Sequence, residues 1–446
     1  MRNGSRTSKL ASKAMGIFGD VRPAEVAGVA AMFANLTILL LGYYIAKTVR
    51  EPLILATGGA EMKAYAAGVQ AFVLMGFVPL YSWLSSRVKR MRLIITLNAF
   101  FIICLELFWL GVRAEVPRLG FVFFVWVGIF SLSTVAQFWS YANEVYSKED
   151  SDRLFPIIGI GATVGAPVGS GLAAWLFTRG FEPGTLLHIT AGLLVVQTGL
   201  YLVCRHALGR GGDGHEHHEE PLAAVGGFKL VLTSGYLRLI AVFLMVLNLV
   251  NTTGEYILST FVTEAADAAK AADASIEIDS YIGAFYGEFF SFVNIAAVLL
   301  QAFVAPRLTK RFGIAGVLFF LPLVSLGAYG IAAVGLGFTV FRWAKTAENS
   351  VDYSLMNTAK AMLWLPTTRA AKYKAKQAVD TFFVRFGDVL SAGVIWAGTQ
   401  WFAFGRTQFA LLNVVAAAVF LGLTIWLYRG YQRCLATHDD DDDGHR

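Results

Sequence analysis

Charge is what this chain has least of. Asp, Glu, Lys and Arg make up 15% of its 446 residues, against roughly 25% in an average soluble domain. That is too little polar surface to clothe a soluble fold of this length. Cysteine is equally scarce. Cys104 and Cys204 lie in apolar runs and Cys434 near the end, a pattern that excludes a disulfide-stapled secreted domain and offers no metal-ligand spacing. Phosphate-binding loop, helix-borne zinc-ligand pair and nucleophile–base pair are all missing, so an enzyme has little support and no cofactor is expected. The basic, polar stretch 1–19 lacks the short apolar core of a secretory signal, and it is short for an organellar transit peptide.

What the chain does have is apolar sequence. Its hydrophobic share is 56%, about 250 residues, where twelve spanning helices of about 20 residues need about 240. The 35 Phe and 44 Gly suit helices that approach one another closely in lipid. Long apolar runs fall at 24–46, 63–85, 92–112, 119–144, 154–178, 184–206, 236–262, 281–304, 313–334, 337–364, 377–402 and 405–428. The tenth and eleventh are less apolar, and are kept because their charges sit among apolar residues and the helix count stays even.

The basic residues are unevenly distributed. Arg2, Arg6, Lys9, Lys13 and Arg22, then Arg87, Lys89, Arg90 and Arg92, then Arg307, Lys310 and Arg311, then Arg369, Lys372, Lys374 and Lys376 all fall on one side if the spans alternate. The opposite side carries acids (Glu264, Asp267, Asp273, Glu277, Asp279). The net charge of +6 is thus a sidedness signal and not a nucleic-acid footprint, and both termini are expected in the cytoplasm. A Gly- and His-rich stretch breaks the pattern near its middle. The expected organisation is a cytoplasmic segment 1–23, a six-helix bundle 24–206, a cytoplasmic linker 207–235, a second six-helix bundle 236–428 and an acidic cytoplasmic tail 429–446. The basic loops after spans 2 and 8 lie about half a chain apart, a weak internal repeat. Two such halves related by an axis along the membrane normal are the arrangement of major facilitator transporters. The fold class read from the sequence is therefore an all-α, twelve-span membrane protein with two six-helix bundles.

Ionisable groups inside spans cost at least about 2.5–3.5 kcal/mol each and call for a reason. At the expected end of span 1, Lys47 and Arg50 are three residues apart and share a face. They suit either a cationic clamp for a phosphate or carboxylate or a snorkelling cap with Glu51 neutralising Arg50. In span 10, Lys345, Glu348, Asp352 and Lys360 sit in one apolar setting, suiting a cavity lining or gate, or else an internal salt-bridge scaffold. Span 11 adds Lys374, Lys376, Asp380, Arg385 and Asp388. Glu255 and Glu288 face either the cavity or a neighbouring helix, and Glu106 reads as structural. Burial would raise the pKa of such acids, making Glu255, Glu288, Glu348, Asp352 and Asp380 candidate proton or charge relays. Gly161, Gly165 and Gly169 form a ridge at four-residue spacing, a surface for close helix packing, with Pro167 a kink. His215, His217 and His218 form a tract that binds metal or, more commonly, is a solvated loop. No metal site is expected.

Four stretches carry a further signal. They are Lys47-x-x-Arg50-Glu51-x-Leu53; Phe138-Trp139-x-x-Ala142-Asn143 followed by Arg153-Leu-Phe-Pro156-x-x-Gly159-Ile-Gly161-Ala162; Asn248-Leu249-Val250; and Tyr353-Ser-Leu, Thr358-x-Lys360-x-Met362, Leu365-Pro366, Lys372-Tyr-Lys374-x-Lys376-x-x-x-Asp380. In this order they resemble the nucleotide transporters of intracellular bacteria and plastids, the ATP/ADP antiporter or translocase family. The resemblance implies a multi-pass protein of a bacterial inner membrane, monomeric, with lipid and a small anionic solute as partners. The solute would be a nucleotide or related phosphometabolite, exchanged by alternating access between the halves and contacted from spans 1, 4, 7 and 10. Lys47, Arg50, Asn143, Asn251, Glu255, Lys345, Lys360, Lys374 and Lys376 become candidate solute contacts. Departures are specific. Where the ATP/ADP exchangers carry a glutamate and then a lysine four residues on, this chain has Asn251 and Glu255, and Asp352 stands where they carry a lysine. A cavity that loses cations and gains acids binds a tetra-anion such as ATP less well. Proton-coupled transport of another organic solute is the alternative reading.

Overall fold

A computed structural model describes residues 21–207, 224–368 and 371–443. The segment 1–20, the His215–His218 tract and Arg369 lie outside the described residues, as do the side chains of the acidic tail.

Every regular element among the described residues is helical: α1 (Val26–Arg87), α2 (Arg90–Arg113), α3 (Leu119–Val145), α4 (Lys148–Thr178), α5 (Pro183–Ala207), α6 (Ala224–Thr233), α7 (Gly235–Ala272) and α8 (Ile278–Leu299). A π-turn at Leu300–Val304 leads into α9 (Ala305–Phe312), followed by α10 (Ala315–Leu318), α11 (Phe320–Val334) and α12 (Phe338–Val351). A second π-turn, Asp352–Met356, joins α12 to α13 (Asn357–Met362). Two more, Ala371–Ala375 and Val379–Phe383, flank α14 (Lys376–Ala378) before α15 (Val384–Gln400) and α16 (Arg406–Asp443).

Local chemistry sets several ends. Ser147 caps α4 by accepting the Asp150 N–H, with Glu149 and Asp150 in the first turn favouring the positive end of the helix. Ser234 caps α7 in the same way. Gly335 ends α11 in the left-handed region, its N–H donating to the Ile331 and Ala332 carbonyls. The first two spans differ from expectation. No loop separates them, and α1 runs 62 residues with a single break at Gly59 (φ 66°, ψ −173°). The helix continues through Pro52 and breaks only at Gly59, a residue that adopts that backbone freely.

Nine helical stretches among the described residues are long and apolar enough to cross a bilayer. The broken α1 counts twice, and the charged stretches α12–α13 and α14–α15 supply the remaining two of twelve spans. Many exposed side chains along them are apolar. Ile103, Leu107 and Leu110 line one face of α2, and Leu411, Val415, Val419 and Trp426 one face of α16. These stripes suit lipid, the reverse of a soluble surface.

The helices gather into two compact units. The N-terminal unit takes the described residues within Met1–Leu53, Pro79–His218 and Ser275–Ser291; the C-terminal unit takes those within Ile54–Val78, Glu219–Ala274 and Phe292–Arg446. The continuous bundles 24–206 and 236–428 thus differ from the compact units by two segments, 54–78 and 275–291. Packing explains both. A Cβ on Gly287 would lie 2.7 Å from the Ala174 nitrogen, and one on Gly68 would lie 2.7 Å from the Ala392 Cβ. Close backbone approach ties each segment to its unit.

The N-terminal unit is built on aromatic stacking and that same close approach. Trp126 stacks on Phe130 (5.1 Å), and Phe101 meets Phe130 edge-on (5.3 Å). Gly161, Gly165 and Gly169 of α4 lie directly against the α1 backbone, where Cβ atoms would run into the carbonyls of Phe33, Thr37 and Leu41. In the C-terminal unit Phe243 packs on Phe420 and Phe261 on Phe341.

Candidate functional site: two sets of buried charge

Lys47 and Arg50 lie well inside α1, because the helix continues past them to Gly59. A snorkelling cap at a helix end is therefore not what they form. Lys47 is 9% exposed, and its ammonium sits 4.2 Å from the Phe290 ring centre. The Arg50 guanidinium stacks 4.1 Å from the Phe124 ring and donates to Glu51 at 2.6 Å and 3.1 Å. Glu51 is fully buried. Aromatic faces and one carboxylate thus replace part of the water these cations lose. Glu288 lies exposed in the same unit, and Asn143 lies exposed near the end of α3.

The same unit holds a neutral polar network. The Asn98 amide donates to Gln197 Oε1 (2.9 Å) and Thr198 Oγ1 (2.8 Å). Gln197 and Asn35 are joined through the Asn35 side chain by two more bonds, of 3.0 Å and 3.1 Å. At the ends of the helices Arg90 pairs with Glu144, and Arg153 forks onto Glu25 at 2.8 Å while also holding Asp150. Arg153 holds the Glu25 carboxyl below its ordinary 4.5. Glu106 pairs with His188 at 2.9 Å, consistent with a structural part.

The C-terminal unit buries ions. Lys345 is fully enclosed, and its ammonium donates to Glu348 (2.6 Å), Asn251 (3.1 Å) and the Tyr329 hydroxyl (3.2 Å). Those are all the protons an ammonium has. Glu348 also accepts from Ser325 (2.6 Å) and from Tyr329 (2.7 Å). Glu255 of α7 reaches into the same group. Its carboxylate is 3.6 Å from Lys345 and 3.7 Å from Lys63, and it accepts from Asn349 at 3.0 Å. Lys63 in turn donates to Ser259 at 2.9 Å. Beside this group is a recess lined by Asn251, Ser325, Glu348, Asp352 and apolar side chains, with room for about one water.

Sequence reading had singled out Asn251, Glu255, Lys345 and Glu348, which converge here. It missed Lys63, Ser325, Tyr329 and Asn349. Lys63 had a signal, a lone cation opening an apolar span, while Tyr329 had none. About one turn beyond Glu348, Asp352 pairs with Lys360 at 3.2 Å, with Asp352 in the π-turn whose extra residue re-aims the side chains after α12. Asp388 accepts from Thr252 (2.7 Å) and Asn248 (3.0 Å). Lys374 is half-buried, its backbone carbonyl packed against Gly227 of α6, whereas Lys376 and Asp380 are exposed. Among the described residues, no group of three His, Cys, Asp or Glu is arranged to hold a metal ion.

The described residues form twelve helical spans with charge sequestered inside them, in a major-facilitator-type fold. Solved structures agree. A mutant of the nucleoside transporter NupG superposes with a TM-score of 0.68 at 15% identity, over 90% of this chain and 100% of that one. A bacterial homologue of the iron transporter ferroportin gives 0.63 at 13%, over 90% and 98%. No family model matches. By sequence the chain is similar, at low identity, to several ADP,ATP carrier proteins. It is 21% identical to ADP,ATP carrier protein 1 of Chlamydia muridarum, over 65% of this chain and 60% of that protein. The match to ADP,ATP carrier protein 1 of Rickettsia bellii is 22%, over 65% and 63%. ADP,ATP carrier protein 2 of Chlamydia trachomatis is 22% identical over 94% and 89%. The alignments to the carrier 1 proteins thus span less than two thirds of those relatives' length.

Proposed function

We propose that this protein is a secondary transporter that exchanges a nucleotide or a related anionic phosphometabolite across a bacterial inner membrane by alternating access. The relationship to ADP,ATP carriers, together with cations placed in the interior of α1, carries this reading. Lys47 supplies a point charge and Arg50 a fork that matches a phosphate oxygen pair. Ring faces keep both poised while leaving their N–H groups able to trade partners. The protein works as a monomer with both termini in the cytoplasm, the side that the basic loops favour, and Lys360, Lys374 and Lys376 are further phosphate contacts. Exchange that moves one net charge would draw about 2.3 kcal/mol per 100 mV from the membrane potential.

A thermal-shift screen of the detergent-purified protein tests the solute class, since a ligand bound only by the native state raises the melting point. Nucleotides are expected to stabilise it and simple carboxylates to leave it unchanged. Stabilisation by sugars or amino acids alone would refute the assignment. The buried Glu348 and the half-buried Glu255 favour a second reading, proton-coupled uptake of another organic solute. Uptake driven by a pH gradient into liposomes that hold no counter-substrate would establish it.

A further inference from the structure

In the buried group of the C-terminal unit, Glu255 differs from its partners. Lys345 and Glu348 are sealed, and the Lys63 side chain is 8% exposed, whereas the Glu255 side chain is 24% exposed. Its two oxygens face different cations, Oε1 towards Lys345 at 3.6 Å and Oε2 towards Lys63 at 3.7 Å. Both distances exceed a direct charge-assisted hydrogen bond. Each lysine has a closer acceptor, Glu348 for Lys345 at 2.6 Å and Ser259 for Lys63 at 2.9 Å. Glu255, which also accepts from Asn349 at 3.0 Å, is therefore the outer anion of the group, set over two cations. Formally Lys63, Lys345, Glu255 and Glu348 cancel.

We infer that Glu255 is a charge-selecting residue. Its carboxylate takes the place over Lys63 and Lys345 that an anionic group of the solute would otherwise take, and so holds the protein to solutes of lower negative charge. This rests on the proposed transport of phosphorylated solutes. With Glu255 ionised, a solute oxyanion meets a neutral group there and gains little from it. With Glu255 neutral, the same group carries one net positive charge, and attraction grows with the charge of the solute. The preferred solute is then a nucleoside monophosphate or an anion of similar charge, with nucleoside triphosphate disfavoured.

The test is a competition series on proteoliposomes, with AMP, ADP, ATP, inorganic phosphate and pyrophosphate competing against a labelled nucleotide. It is run on wild type, Glu255→Gln and Glu255→Asp. Glu255→Gln keeps the side chain's size and an oxygen for Asn349, and Glu255→Asp keeps the charge. The melting temperature of each variant checks that it folds. Wild type should prefer the anions of lower charge. Glu255→Gln should shift the ATP-to-AMP preference ratio about tenfold towards ATP, with a parallel shift from phosphate to pyrophosphate, and Glu255→Asp should keep the wild-type order. Wild-type exchange of nucleotide with an unchanged ratio in Glu255→Gln overturns the inference alone. If none of these anions competes or is carried by folded protein of any form, both the inference and the transport proposal fall. If Glu255→Asp shifts as far as Glu255→Gln, shape and not charge selects, and the inference is overturned.

Discussion

In the N-terminal unit the buried network of Asn35, Asn98, Gln197 and Thr198 is made of amides and a hydroxyl, and the cations Lys47 and Arg50 lean on aromatic rings. In the C-terminal unit the corresponding burden falls on ions, Lys345 and Glu348 sealed together with Lys63 and Glu255 beside them. The difference teaches how each unit can fail. An amide network loses one modest hydrogen bond at a time. An ion group stripped of one member leaves an uncompensated charge in low dielectric, which is far worse than never having had the pair.

The largest effect should therefore come from Glu348→Leu. It leaves the Lys345 ammonium hydrogen-bonded to Asn251 and Tyr329, with only the more distant Glu255 to offset its charge, at a cost of about 3–5 kcal/mol. Thermal unfolding in detergent reads this, and the double variant with Lys345→Met should recover most of the loss. A double variant as unstable as the single would show that packing, and not charge, dominates there. Next, Gly165→Val in the N-terminal unit drives a side chain into the Thr37 carbonyl, an overpacking penalty of about 1–3 kcal/mol. A Gly159→Ala control, where open space surrounds the added Cβ, should cost much less. Gln197→Leu should cost less again, about 0.6–1.7 kcal/mol, the range of interhelical hydrogen bonds in membranes. A loss as large as that of Glu348→Leu would erase the contrast between the units.

The smallest effect concerns acid. Because Arg153 lowers the Glu25 pKa in the folded protein, the unfolded chain binds its proton first as pH falls. The pair's stabilisation is complete above the ordinary glutamate value and fades as pH drops through the lowered one. Glu25→Gln should therefore melt lower than wild type at neutral pH, with the gap closing below about pH 4. A constant gap would mean that the fork contributes through shape alone.

The spans were legible because lipid demands long apolar runs, and the twelve segments and the α4 glycine ridge could be located from that alone. The charges in α1 and α12 were legible for the opposite reason, since they interrupt apolar sequence. What escaped has equally physical causes. The continuity of α1 through residues 47–58 was hidden because a polar stretch reads as a loop whether or not its backbone stays helical, and only Gly59 marks the break. The partners of Glu348 escaped because Ser325 and Tyr329 are ordinary in an apolar helix until the fold points them at a carboxylate. Nearly two hundred residues of chain separate Lys63 from Glu255, and no local period encodes their pairing.

The central claim, that buried cations serve a phosphorylated traveller, is tested most directly by counterflow. Proteoliposomes preloaded with unlabelled ADP should accumulate labelled ADP, empty ones should not, and Arg50→Ala protein with an unchanged melting temperature should lose at least about tenfold of the rate. Equal uptake by empty and preloaded vesicles, or full exchange by Arg50→Ala, would contradict the account.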